Sequence, residues 1–138
     1  MWEALRNNYF VVTVDEAAQL VVVTRTAEPF PTVQVALSEW DSINVSLDKV
    51  GRKGRCMLAD LRQGPARNDP GFEQAMRRVV AKIHHGYVRN AVLVRLAAGA
   101  LQIRRHARED GIERLVTDSE EVAFAYLREG RTGTSGRR

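Results

Sequence analysis

The sequence predicts a single α/β domain on a mixed sheet, in which an opening antiparallel hairpin is followed by βαβαβα. Three observations lead there. Two runs rich in β-branched and aromatic residues, 9–14 and 20–25, stand five residues apart near the start, the pattern of a hairpin. Beyond them, short apolar runs alternate with stretches whose apolar residues recur at three- and four-residue steps, as strands alternate with crossover helices in a partly parallel sheet. The length, 138 residues, suits one hydrophobic core and leaves no room for two.

The polar stretch 15–19 connects the two hairpin strands. After Pro29 and Pro31, the residues Val33, Leu37, Trp40, Ile43, Leu47 and Val50 mark one face of an amphipathic helix that Gly51 ends. Residues 56–61 form an apolar run of the size of a buried strand, carrying Asp60 near its end. The polar segment 62–68 is a loop. Asp69 and Pro70 then supply an N-cap and a proline at the first helical position. The stripe of this second helix is Phe72, Ala75, Met76, Val79, Val80 and Ile83, which leaves Arg77, Arg78 and Lys82 on its outer face; Gly86 closes it. Residues 91–96 are a strand, 97–110 a third helical segment that turns basic at Arg104, Arg105 and Arg108, and Leu115 with Val116 a last short strand. Thr117 with Glu120, or Asp118 with Glu121, has the capping-box spacing ahead of a final helix through Leu127. The folded domain is thus expected over 1–129. The basic tail 130–138 has no apolar side chain and is expected to be disordered.

Composition narrows the function classes. No apolar run reaches the roughly 18 to 20 residues of a membrane span, and the first eight residues lack the regions of a signal peptide. A cytoplasmic protein without a membrane partner is expected. Cys56 is the only cysteine, so a disulfide within the chain and a cysteine metal cluster are excluded, and its place in a strand marks a buried, inert thiol. Charge is sorted along the chain: residues 52–108 carry thirteen Lys or Arg against three Asp or Glu. Such a segment can present an electropositive surface to acidic partners.

Chemistry-bearing motifs are absent. Adjacent His84 and His85 leave a helix in different directions and cannot share a metal as an i, i+4 pair can. His106 sits in a basic helix, where a solvated side chain needs no further role. G-x-S-x-G, P-loop and G-x-G-x-x-G patterns do not occur. No catalytic residue, metal or cofactor is therefore assigned. Ser38, Ser42 and Ser46, at four-residue steps on the first helix, read as a solvated face. The basic cluster Arg77, Arg78, Lys82, Arg104, Arg105 and Arg108 has few aromatic residues near it and no nucleic-acid motif around it. That argues against nucleic acid and for an acidic protein partner.

The order of elements, with Asp60-Leu61 leading to Asn68-Asp69-Pro70-Gly71-Phe72, resembles the STAS domain of bacterial anti-sigma-factor antagonists, over roughly residues 9–127. In that family a strand ending in Asp-Leu precedes an Asp-Ser-x-Gly-Leu motif whose serine, at a helix N-terminus, is phosphorylated by a partner kinase. Aligned on Gly71 and Phe72, Asn68 stands at the family's Asp and Asp69 at its switch Ser, so the phosphorylatable serine is missing. Asp69 serves first as an N-cap, and its carboxylate also has the sign of charge that a helix N-terminus favours. The resemblance implies a non-catalytic regulatory module in bacterial signalling that docks a protein through Asn68, Asp69, Gly71, Arg77, Arg78 and Lys82. The alternative is a small-ligand or lipid-binding domain of a related fold, which an apolar cavity would favour. Oligomeric state and the partner's identity are not legible.

Overall fold

The computed structural model describes residues 1–65, 70–95 and 110–136. These form strands β1 (Trp2–Arg6), β2 (Phe10–Asp15) and β3 (Leu20–Arg25), helix α1 (Val33–Val50), strand β4 (Cys56–Asp60), helix α2 (Pro70–Ile83), strands β5 (Asn90–Leu93) and β6 (Leu115–Thr117), and helix α3 (Glu120–Gly136). The helix expected over 97–110 lies, but for Asp110, outside the described residues. The six strands lie in the sheet in their sequence order. Pairing is antiparallel from β1 to β3 and parallel from β3 to β6, so the mixed α/β sheet is as the sequence predicts.

Strand β1 adds an edge that the sequence pattern did not disclose. Its residues, Trp-Glu-Ala-Leu-Arg, contain no β-branched side chain, and what holds them extended is the ladder with β2, broken by a shift between Glu3 and Leu5. The five residues between β2 and β3 turn tightly: Ala18 N–H donates to the Asp15 carboxylate at 3.1 Å, and Gln19 takes a positive φ of 52°.

Side-chain alternation assigns the faces. Phe10, Val12 and Val14 of β2, with Val21 and Val23 of β3, point to the side that α1 and α2 cover, and join Trp40, Ile43, Leu47, Met57, Met76 and Ile83 in the main core. The Phe10 ring meets Trp40 edge-on at 4.7 Å. On the opposite face α3 lays Ala123 and Leu127 over Leu20, Cys56, Leu58, Ala91 and Leu93. Covered on both sides, β5 is buried along its whole length and β4 up to Asp60, which is why both are continuous apolar runs rather than alternating ones.

Helix α1 begins where Thr32 accepts a hydrogen bond from Val35 N at 3.1 Å and ends at Gly51, whose φ of 94° a side chain would resist. Of its serine stripe, Ser38 and Ser42 are exposed, but Ser46 is buried. Four-residue steps drift about 40° per repeat around a helix, enough to carry the third serine off the solvated face. Cys56 is buried, its thiol 3.6 Å from the Leu127 carbonyl.

Candidate functional site

Parallel strands give the domain two distinct ends. At the carboxyl ends of β3 to β6, where open α/β sheets usually hold ligands, several of the described polar side chains hold one another. The Arg62 guanidinium grips both oxygens of Asp60, at 2.9 and 2.8 Å, and reaches Glu120 at 3.1 Å. Burial pushes the Asp60 carboxyl up, but its hydrogen bonds to Arg62 outweigh that and hold it below the ordinary Asp value. Beside this triad lies Arg25, only 6% exposed. Its guanidinium stacks 4.0 Å over Phe30 and donates to the carbonyls of Tyr9 and Thr26 at 3.3 and 2.9 Å. Gly64 of the following loop sits so close that a Cβ there would come within 2.9 Å of Arg25 Cγ. Among the described residues, these side chains hold one another at this end.

The other end is open. Between the C-terminal turns of α1 and α2 lies a cleft of about 550 Å³ whose walls carry Asn44 and Asp48 from α1, Arg78, Ala81 and Lys82 from α2, and Asp110 and Ile112 from the segment before β6. Arg52 ties the two helix ends together. It donates to the carbonyls of Lys82 at 2.5 Å and His85 at 2.9 Å, to Asn44 Oδ1 at 3.1 Å and to Asp48 at 2.9 Å. The last carbonyls of a helix have no partner within it, and a guanidinium both bonds them and matches the negative end of the dipole. Asn44 completes the clamp by donating to Val79 O at 3.4 Å.

Behind the cleft, His84 is buried at 2% exposure. Asn90 Nδ2 donates to the His84 carbonyl at 2.9 Å, which turns Asn90 Oδ1 toward His84 Nδ1, 3.0 Å away; the proton is thereby assigned to Nδ1. Burial lowers the imidazole pKa to about 3, and the Arg114 and Arg52 charges act in the same direction against the Asn90 hydrogen bond and Asp110. The ring is neutral. Arg114, its side chain 1% exposed, pairs with Asp110.

The electrostatics of the cleft follow from who is paired. Asp48 is taken by Arg52 and Asp110 by Arg114. Arg78 and Lys82 are exposed and, among the described residues, have no ion-pair partner. The rim therefore keeps two cations that no described carboxylate pairs with.

Of the residues that the sequence singled out, Arg78 and Lys82 line this cleft together. Arg77 is half-buried rather than on the outer face, because it stands one residue, or 100°, from Arg78 around the helix. Gly71 is exposed in the first turn of α2. Eleven residues separate it from Lys82, about 16 Å along the axis, so neighbours in sequence belong to opposite ends of the domain. Asn68 and Asp69 lie outside the described residues. Arg52, Asn44, Asp48 and Asp110 were missed. An Asp and an Arg four residues apart across the end of a helix, as Asp48 and Arg52 are, was the legible signal.

Among the described residues no group of His, Cys, Asp or Glu converges as a metal site, and no helix is long and apolar enough to cross a membrane. Comparison with protein-family models, curated proteins and solved structures finds no match to this chain.

Proposed function

We propose that this chain is a non-catalytic, STAS-like regulatory module that docks an acidic protein partner on the basic side of α2 without a phosphorylatable switch serine. One observation carries the reading: α2 buries Met76 and Ile83 in the core and leaves Arg78 and Lys82 exposed and, among the described residues, unpaired. Two like charges one turn apart repel each other modestly, and a complementary acidic patch relieves that while speeding encounter. The architecture supports the family comparison, since β4 ends at Asp60 and a loop leads to a helix that starts at Pro70. Residues 62–72 contain no Ser, Thr or Tyr, so docking in this reading is constitutive and takes place in the bacterial cytoplasm. The alternative, a small-ligand or lipid-binding domain, calls for an enclosed apolar cavity; the surface of the cleft between α1 and α2 is largely apolar, but the cleft is open to solvent and carries Asp48, Arg78, Lys82 and Asp110 in its walls.

The test is capture of the partner from the native host by the tagged protein, followed by binding kinetics with the purified pair. Arg78→Glu with Lys82→Glu is expected to slow and weaken association, added salt to weaken the wild-type complex, and far-UV circular dichroism to stay the same. Unchanged affinity in the folded double variant would remove this side of α2 from the interface.

A further inference from the structure

We infer that the cleft between the C-terminal turns of α1 and α2 is a receptor for a carboxylate-rich peptide segment, held between Arg78 and Lys82 over the Arg52 clamp. This rests on the proposed docking function and goes beyond it by naming the place and the chemistry of the bound element. The partner does not lie along α2 toward Asp69; it inserts acidic side chains at the far end of the helix.

Three features of the site select that occupant. The first is the charge balance: both carboxylates in the wall already have an arginine, Asp48 at 2.9 Å from Arg52 and Asp110 paired with the buried Arg114, whereas Arg78 and Lys82 have no ion-pair partner among the described residues. An incoming anion is therefore attracted by two cations and meets carboxylates that are already neutralised. The second is size. A volume of about 550 Å³ admits two or three side chains, more than a single small anion requires and less than a folded domain. The third is rigidity. Arg52 holds its place through the carbonyls of Lys82 and His85 and through Asn44 and Asp48, so the α1 wall and the α2 wall are fixed to each other before anything binds, and what remains to be ordered is the Arg78 and Lys82 side chains. Ala81 and Ile112 add apolar surface to the lining, against which the methylenes of a glutamate side chain can lie.

The experiment uses the full chain and two synthetic probes, a blocked hexaglutamate peptide and its hexaglutamine counterpart, in titration calorimetry at low salt. Hexaglutamate is expected to bind and hexaglutamine not. Arg78→Gln with Lys82→Gln should weaken hexaglutamate binding by about tenfold or more. Ala81→Leu, which adds bulk to the lining and leaves every charge in place, should weaken it comparably. Asp48→Asn, on the opposite wall, releases the Arg52 charge from its carboxylate and should strengthen binding about twofold or more, and it decides the case should Ala81→Leu lose its fold by circular dichroism. Equal binding of the two peptides overturns the inference. So does hexaglutamate binding that neither Ala81→Leu nor Asp48→Asn alters, which would put the peptide on the open surface of α2. Preferential uptake of anionic phosphatidylglycerol vesicles, competing with the peptide, would overturn it as well. In each of these cases a captured partner that is still lost on Arg78→Glu with Lys82→Glu leaves the docking reading standing, so the two fail separately.

Discussion

His84 is the residue whose chemistry is most changed by the fold. In the folded chain the ring is neutral, because burial lowers its pKa from 6.5 to about 3. The unfolded chain takes up a proton there below about pH 6.5, so the unfolded state binds more protons and stability rises with pH across that window. The contribution is present above pH 6.5 and is lost as pH falls toward 3. Differential scanning calorimetry in steps from pH 7 to pH 4 should show the wild-type midpoint falling more steeply than that of His84→Gln; equal slopes would mean that the ring is not held neutral. Adjacent histidines in the sequence offered no way to tell a buried His84 from an exposed His85, since that difference is set by how α2 ends against Asn90.

Within elements, helix ends organise more of this molecule than propensity does. The start and end of α1 were both readable, because the apolar stripe ends at Val50 and Gly51 follows. Its role as one wall of a cleft was not, because that depends on Arg52 reaching the carbonyls of Lys82 and His85. A second case is Gly130 in α3. A Cβ at this position would come within 2.2 Å of Arg89 Cδ, and Arg89 lies 4.4 Å over the Tyr126 ring while donating to Tyr126 O at 2.9 Å. Two effects oppose each other in Gly130→Ala: about 1 kcal/mol of helix propensity is gained, and the Arg89 side chain is pushed from its bed. The displacement should win, so Gly130→Ala destabilises the wild type and stabilises an Arg89→Ala background. Chemical denaturation of the four proteins in this double-mutant cycle measures the coupling; simple additivity would show that Arg89 moves aside at no cost.

At the scale of the whole molecule, the residues after Leu127 carry no apolar side chain, and the C-terminus is expected to be dispensable for folding. Helix α3 runs to Gly136, past the point where the sequence pattern ends it, and among its described side chains the last in the core is Leu127. A chain ending at Gly130, which keeps the packing on Arg89, is expected to melt within roughly 2 °C of the full chain. A drop of several degrees in thermal midpoint would show that 131–138 packs on the domain. The α/β class, both helix stripes and the central strands were legible in the sequence, because periodicity and burial are two expressions of one requirement, that apolar side chains leave water together. So was the exposure of Arg78 and Lys82, since the stripe of α2 leaves them on the solvent side. Strand β1 was not legible, because an edge strand is held by its neighbour's backbone and asks little of its own side chains. Nor was the cleft: whether a cation is free to bind depends on which carboxylates already hold the other arginines, and the pairs Asp48 with Arg52 and Asp110 with Arg114 acquire that meaning only when α1, α2 and the segment before β6 are brought to one end of the sheet.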